Sequence, residues 1–146
     1  MFLSFHSPDF NDRMNVFAAA SAARAKENDA AFASVYLLRE KYGTEICFHD
    51  SVLLRRYQKG IRSGCYGYPV GLCDCREIIL LLKQDSEARG QKFRLTMLTE
   101  QQCEALQTTF PDQFRITKSE AYTEYLYLQS NLAELKGSRY HNKRKK

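Results

Sequence analysis

The stretch from Asp74 to Gly90 constrains this fold most, because both ends and the buried face of one helix can be read from it. Asp74-Cys75-Arg76-Glu77 has the pattern of a capping box, in which the Asp74 carboxylate accepts the amide three residues on and Glu77 reaches back to the Asp74 amide. Ile78, Ile79, Leu81, Leu82 and Ala88 then form a broad apolar stripe, and Gly90 stands where a helix stop wants a left-handed residue. A helix with one apolar face needs a surface to cover it, so the flanking sequence must supply a sheet or further helices.

Upstream, Thr44 to Phe48 and Val52 to Tyr57 are β-rich runs separated by His49-Asp50-Ser51, a hairpin pattern. Gly64 to Val70 reads as a third strand with Tyr66, Tyr68 and Val70 on one face, and the three successive strands predict an antiparallel meander. Arg62-Ser63-Gly64-Cys65-Tyr66-Gly67 reads as a hairpin turn running into it. Nearer the amino terminus, Phe2 to Phe5 reads as a short strand. Ser7-Pro8 follows as cap and first residue of a helix running toward Ala18 to Ala23. After a polar break at Lys26 to Asp29, Phe32, Val35, Tyr36 and Arg39 recur at helical spacing as far as Gly43.

Downstream, Phe93, Leu95 and Met97 alternate as a strand. Thr99-Glu100-Gln101-Gln102 is a second capping box, with Leu98 and Cys103 as its hydrophobic staple. That helix ends near Phe110-Pro111, and Phe114, Ile116 and then Tyr122 to Leu128 read as a final pair of strands. The order predicts an α+β fold with a mostly antiparallel sheet flanked by helices.

With 146 residues, 44% of them hydrophobic, the chain suits one domain with a sizeable core. The amino terminus lacks the basic and apolar regions of a secretory signal, so the cytoplasm is expected. The odd set of cysteines, Cys47, Cys65, Cys73, Cys75 and Cys103, fits free thiols. Cys73 and Cys75 resemble half a zinc site, but no second close pair of ligands follows, so no metal is expected. Lys136, Arg139, Lys143, Arg144, Lys145 and Lys146 close the chain, and these six cations exceed the net charge of +5. The body is therefore about neutral, and any attraction for a polyanion must come from this end.

Four stretches carry a family resemblance. They are Phe32-Ala33-Ser34-Val35-Tyr36-Leu37-Leu38-Arg39 with Lys41-Tyr42-Gly43, then Tyr66-Gly67-Tyr68-Pro69-Val70-Gly71, then Leu98-Thr99-Glu100, and finally Glu124-Tyr125-Leu126-Tyr127 leading to Leu132, Leu135, Gly137, Tyr140, His141, Lys143 and Arg144. The chain resembles the phosphatidylglycerol lysyltransferase C-terminal domain family, a group with tandem N-acetyltransferase folds. Leu38 departs from the tryptophan that members often have there, and Lys145-Lys146 replaces an asparagine and a further helix.

The resemblance implies that residues 1–135 form an N-acetyltransferase-like lobe and that the basic residues 136–146 begin a second lobe missing from this chain. It implies acyl or aminoacyl transfer for the complete protein, from an acyl-CoA or aminoacyl-tRNA donor, and a truncated, inactive chain here with no cofactor of its own. The candidates for catalysis are Tyr125 and Tyr127, whose hydroxyls could serve a cleft between lobes, and His141, whose ordinary pKa suits a base. Lys136, Arg139, Lys143 and Arg144 are the candidate phosphate contacts, toward tRNA or an acidic lipid headgroup. A non-catalytic lobe that binds either ligand through this basic end is the alternative. An acyl-CoA enzyme of this superfamily also needs a glycine-rich anion cradle opening a helix, and Arg62 to Gly67 has the wrong spacing for one.

Overall fold

The computed structural model describes residues 3–25, 30–118 and 124–128. A 3-10 turn at Phe10–Asp12 leads into α1 (Arg13–Ala23), α2 (Phe32–Leu37) and α3 (Arg39–Tyr42). Next come β1 (Glu45–His49), β2 (Val52–Arg56), a 3-10 turn at Gly60–Arg62, α4 (Cys75–Ala88), β3 (Arg94–Thr96), α5 (Glu100–Thr109), β4 (Phe114–Lys118) and β5 (Glu124–Leu128).

Every pair of strands is antiparallel: β1 with β2, and β5 between β3 and β4. The segment 64–70 joins the two groups. Val70 and Tyr66 bridge Leu53 and Arg56 of β2 in antiparallel sense, and Tyr66 bridges Leu95 of β3 in parallel. The fold is α+β, around a mostly antiparallel sheet.

Period-two alternation sorts the core onto two faces. Cys47, Val52, Leu54, Tyr66, Leu95 and Phe114 pack with Ile78, Ile79 and Leu82 of α4 and Cys103 and Leu106 of α5. Ile46, Leu53 and Val70 turn the other way and meet Val16 and Ala19 of α1 and Val35 of α2. Because β2 lies between these layers, all five of its residues are buried. Asp50 and Ser51 both have positive φ, +49° and +69°, which makes the hairpin turn the two-residue kind that matches strand twist.

Both capped helices form where expected. Thr99 and Gln102 exchange the two bonds of a capping box, and Leu98 and Cys103 are both in the core. Asp74 caps α4 alone, its Oδ1 accepting from the amides of Arg76 at 2.9 Å and Glu77 at 3.4 Å. Gly43 and Gly90 sit at φ +57° and +74°, as helix stops require.

Four local expectations are corrected. The first helix is entered through Asp9 rather than Ser7-Pro8: Asp9 Oδ1 accepts from Asn11 N, and Asp12 Oδ2 accepts from Asp9 N. A carboxylate is the stronger acceptor for an amide. The helix read through to Gly43 breaks at Leu38, whose φ of −98° and ψ of 9° leave helical geometry, and Arg39 Nη1 donates to the Tyr36 carbonyl at the break. Residues 3–5 form no strand, and only His6 bridges β1, at Ile46. The third meander strand is reduced to isolated bridges.

The amino-terminal segment is held by side chains instead. Leu3 N donates to Asp85 Oδ1 at 2.7 Å, and Arg89 Nη2 donates to Leu3 O at 3.1 Å. Asp85 is 1% exposed and also accepts from Tyr66 Oη at 2.6 Å and Arg89 Nε at 2.8 Å. Burial alone would raise its pKa, but the hydrogen bonds from Arg89, Tyr66 and Leu3 outweigh it and hold the carboxyl below its ordinary range.

Two predictions follow from this packing. Ile79→Asp or Leu82→Asp buries an uncompensated charge at a site at most 1% exposed, and loss of a cooperative thermal transition is expected for both. Asp85 has a depressed folded pKa, so its stabilisation is present above the unfolded value of about 3.9 and disappears as pH falls through the folded one. Asp85→Asn should cost about 3 kcal/mol at neutral pH in urea titrations and flatten the loss of stability below about pH 4.

Candidate functional site

The parallel contact between the 64–70 segment and β3 lasts for only two hydrogen bonds. Tyr66 N donates to Arg94 O at 2.9 Å, and Thr96 N donates to Tyr66 O at 2.9 Å. Beyond them the two backbones separate, for reasons written in their residues. The Tyr68 carbonyl accepts from Arg55 Nη2 at 2.7 Å. Pro69 has no N–H to offer. On the other side Met97 adopts φ +60°, which ends β3.

Gly67 makes the diversion workable, since a Cβ there would lie 2.7 Å from the Arg55 guanidinium. The separation opens a cleft of about 1120 Å³. Tyr68 to Leu72 form one wall and Thr99 to Gln102 another, and Ala22 to Ala25 at the end of α1 close the side. Its surface combines small apolar groups with the amides of Gln101 and Gln102, and Arg24 is its cation.

Tyr68 is half-buried, and its hydroxyl shares a hydrogen bond with Cys75 Sγ at 3.3 Å. Burial first, and then that bond, pushes the hydroxyl well above its usual range, so it remains a proton donor at any physiological pH. Leu72 separates this cleft from a smaller hollow of about 350 Å³ lined by His49, Asp50, Cys73, Asp74 and Glu77. Burial, Cys75 and Asp74 together raise the pKa of the exposed Cys73 thiol. Among the described residues, no group of three or more His, Cys, Asp and Glu side chains could hold a metal ion.

The helix N-termini at the cleft and at the smaller hollow are closed by their own chain, α5 by Thr99 and α4 by Asp74. A third hollow, beside Phe5, is lined by Arg56 and Arg89, whose charges are taken up by Glu45 at 2.7 Å and Asp85 at 2.8 Å.

Of the residues singled out from sequence, Tyr125 and Tyr127 lie on the central strand β5, in register with Thr96 and Arg94 of β3. They therefore stand at the level where the sheet divides. His141, Lys136, Arg139, Lys143 and Arg144 lie outside the described residues. Sequence reasoning treated Tyr66-Gly67-Tyr68-Pro69 as plain strand and did not single out Arg55 or Arg24. The available signal was Gly67 and Pro69 flanking an aromatic, a pattern that weakens strand pairing.

The model of the family described as phosphatidylglycerol lysyltransferase, C-terminal, matches residues 21–146, and the chain belongs to that family. No curated protein shows significant similarity to it. Among solved structures, a conserved protein of unknown function from Bacteroides thetaiotaomicron is similar, with a TM-score of 0.72 and 25% sequence identity. The similarity covers 99% of this chain and 48% of the other, so this chain spans about half the length of that relative. Among the described residues, no helix is long and apolar enough to cross a membrane.

Gly67→Ala should displace Arg55, release the Tyr68 carbonyl and destabilise the chain by about 1–3 kcal/mol, measured by urea denaturation. A neutral Gly67→Ala would mean that Arg55 does not hold the cleft open.

Proposed function

We propose that this chain is the first lobe of an acyl- or aminoacyl-transferase, arranged as in an N-acetyltransferase lobe, with its reactive ester or thioester placed in the cleft where the sheet divides. The supporting observation is that the chain leaves strand pairing after Tyr66 and Thr96 and opens a cleft beside a tyrosine that stays protonated. The family to which the chain belongs is named for lysyl transfer, which fits this reading. Transfer requires a bound donor, an acceptor placed within reach, and a group to take the acceptor's proton. In this proposal Tyr125 and Tyr127, in register with Thr96 and Arg94 at the dividing level of the sheet, serve the donor. His141 would be the base, and Lys136, Arg139, Lys143 and Arg144 the phosphate contacts, in the complete two-lobed protein.

The capped ends of α4 and α5 bear on affinity. A helix N-terminus binds a pyrophosphate through free amides, and here Asp74 and Thr99 already occupy that position. The lobe by itself would therefore hold an acyl-CoA only weakly and turn nothing over. The same observation favours a second reading, a binding lobe that recognises tRNA or an acidic headgroup through its basic end.

Nuclear magnetic resonance titration separates the two readings. With acyl-CoA, amide shifts are expected at Ala23, Gly71 and Gln101, with a Kd of about 1 mM or weaker, and a thiol-release assay should show no turnover. Absence of shifts at the cleft would sink the transferase reading. A tRNA titration with shifts confined to residues 136–144, weakening steeply with salt, would establish the binding lobe.

A further inference from the structure

Cys73 and Cys75 stand on either side of Asp74, the residue that caps α4. Asp74 has φ −80° and ψ 117°, so the backbone between the two cysteines is open but short of full extension. Two fully extended residues reach at most about 7 Å. The Cα atoms of the pair therefore fall within the separation of about 4.4–6.8 Å that a disulfide spans, and a bond between them needs no large movement of the chain.

Access sets this pair apart from the other thiols. Cys47, Cys65 and Cys103 are buried, whereas Cys73 is exposed and Cys75 half-buried. Cys73 lines the hollow of about 350 Å³ next to the cleft, where a small reagent can reach it. Its Sγ donates only to the Gly71 carbonyl, at 3.8 Å, and Cys75 Sγ shares its bond with Tyr68 Oη at 3.3 Å. Thiols are weak hydrogen-bonding groups, so neither contact holds its sulfur firmly against rotation. The two thiols and the tyrosine form one electrostatic cluster. Burial, then Cys75 and Asp74, raise the pKa of Cys73, and both thiols add to the rise that burial produces at Tyr68.

We propose that Cys73 and Cys75 are a thiol–disulfide exchange site for low-molecular-weight disulfides, and that its closure resets Tyr68 in the wall of the cleft. The exposed Cys73 thiolate attacks one sulfur of the small disulfide, forming a mixed disulfide and releasing one thiolate, which takes up a proton. The Cys75 thiolate then attacks the Cys73 sulfur, forming the bond between the two cysteines and releasing the second small thiolate, which is protonated in turn. The protein gives up two protons and two electrons, and the small disulfide becomes two thiols. A ring closed over three residues is strained, so its bond is easily reduced and follows the redox state of the surroundings. Closure also removes the S–H and turns Cys75 Sγ from Tyr68 Oη, which changes the cleft wall. The site stands apart from the transferase reading, since exchange needs neither acyl donor nor acceptor.

The test is reaction of the reduced full chain with glutathione disulfide, followed by alkylation and peptide mass mapping. The expected product has lost two hydrogens, both from the peptide holding Cys73 and Cys75, and Cys47, Cys65 and Cys103 are alkylated only after denaturation. Cys75→Ser should stop at a mixed disulfide on Cys73, and Cys73→Ser should slow the reaction at least about tenfold. Because the Cys73 pKa is raised, its thiolate is scarce at neutral pH, and the rate should climb about tenfold from pH 7 to pH 8. Phenylarsine oxide, which exchanges its oxygen for one bond to each of two neighbouring thiols and releases water, should bind once per chain and to neither serine variant. Oxidation should shift the ring resonances of Tyr68, and dithiothreitol should restore them. A mixed disulfide on Cys73 that persists beside a free Cys75, or failure to take up the arsenical, overturns the exchange site. A closed disulfide that leaves the Tyr68 resonances unmoved overturns its link to the cleft.

Discussion

The hydrogen bond from Arg55 to the Tyr68 carbonyl is the constraint on which the functional architecture turns. A carbonyl in a strand ordinarily accepts from its neighbouring strand, and a sheet continues for as long as that exchange does. Here a side chain from β2 takes the acceptor, Pro69 removes the next donor, and Gly67 leaves room for the guanidinium to lie against the backbone. The parallel pairing of Tyr66 with Leu95 therefore cannot propagate, and the space it would have filled becomes the cleft. The core on the α4 side is continuous beneath this division, through Tyr66, Leu95 and Phe93, so the sheet opens without losing its support.

The cleft and the Asp85 cluster share one structural element. Tyr66 donates to Asp85 from the last residue before the chain departs from β3. Asp85 in turn fixes Arg89 and the amino-terminal segment at Leu3. A buried carboxylate with three donors is stable where it stands, and it anchors α4 against the base of the division. The N-terminus of α5 at the cleft and that of α4 at the neighbouring hollow are closed by their own caps, which stabilises the helices and leaves the cleft without a ready anion cradle. On the opposite face of the sheet, β3 carries Arg94 and Thr96 and β4 carries Arg115.

Much of the local structure was legible in the residues. The second capping box, the stop glycines at 43 and 90, the stripe of α4 except for the exposed Ala88, and the hairpin, whose turn is Asp50-Ser51 with His49 in β1, depend on interactions within a few positions and formed. Ser7-Pro8 misled because Asp9, two positions on, is the better acceptor. The break at Leu38 escaped because no residue at this position marks a helix stop. Tyr66 to Val70 has the alternation of a strand, and Arg55, Pro69 and the left-handed Met97 together reduce it to isolated bridges. Of the candidate site residues, the period-two spacing of Tyr125 and Tyr127 placed them on a strand, but their level beside the division follows from register with β3.

The sequence by itself determined the α+β class, the N-caps of α4 and α5 at Asp74 and Thr99, and the family, because these rest on neighbours in the chain and on motif spacing. Tertiary structure decided the rest. Arg55 meets Tyr68 thirteen residues away, Asp85 meets Leu3 across most of the chain, and Arg94 and Arg115 share a face because β5 lies between their strands. Such meetings have no local signature, since the free energy that selects them comes from burying whole faces of helix and sheet together, and a side chain's partner is fixed only once those faces have closed.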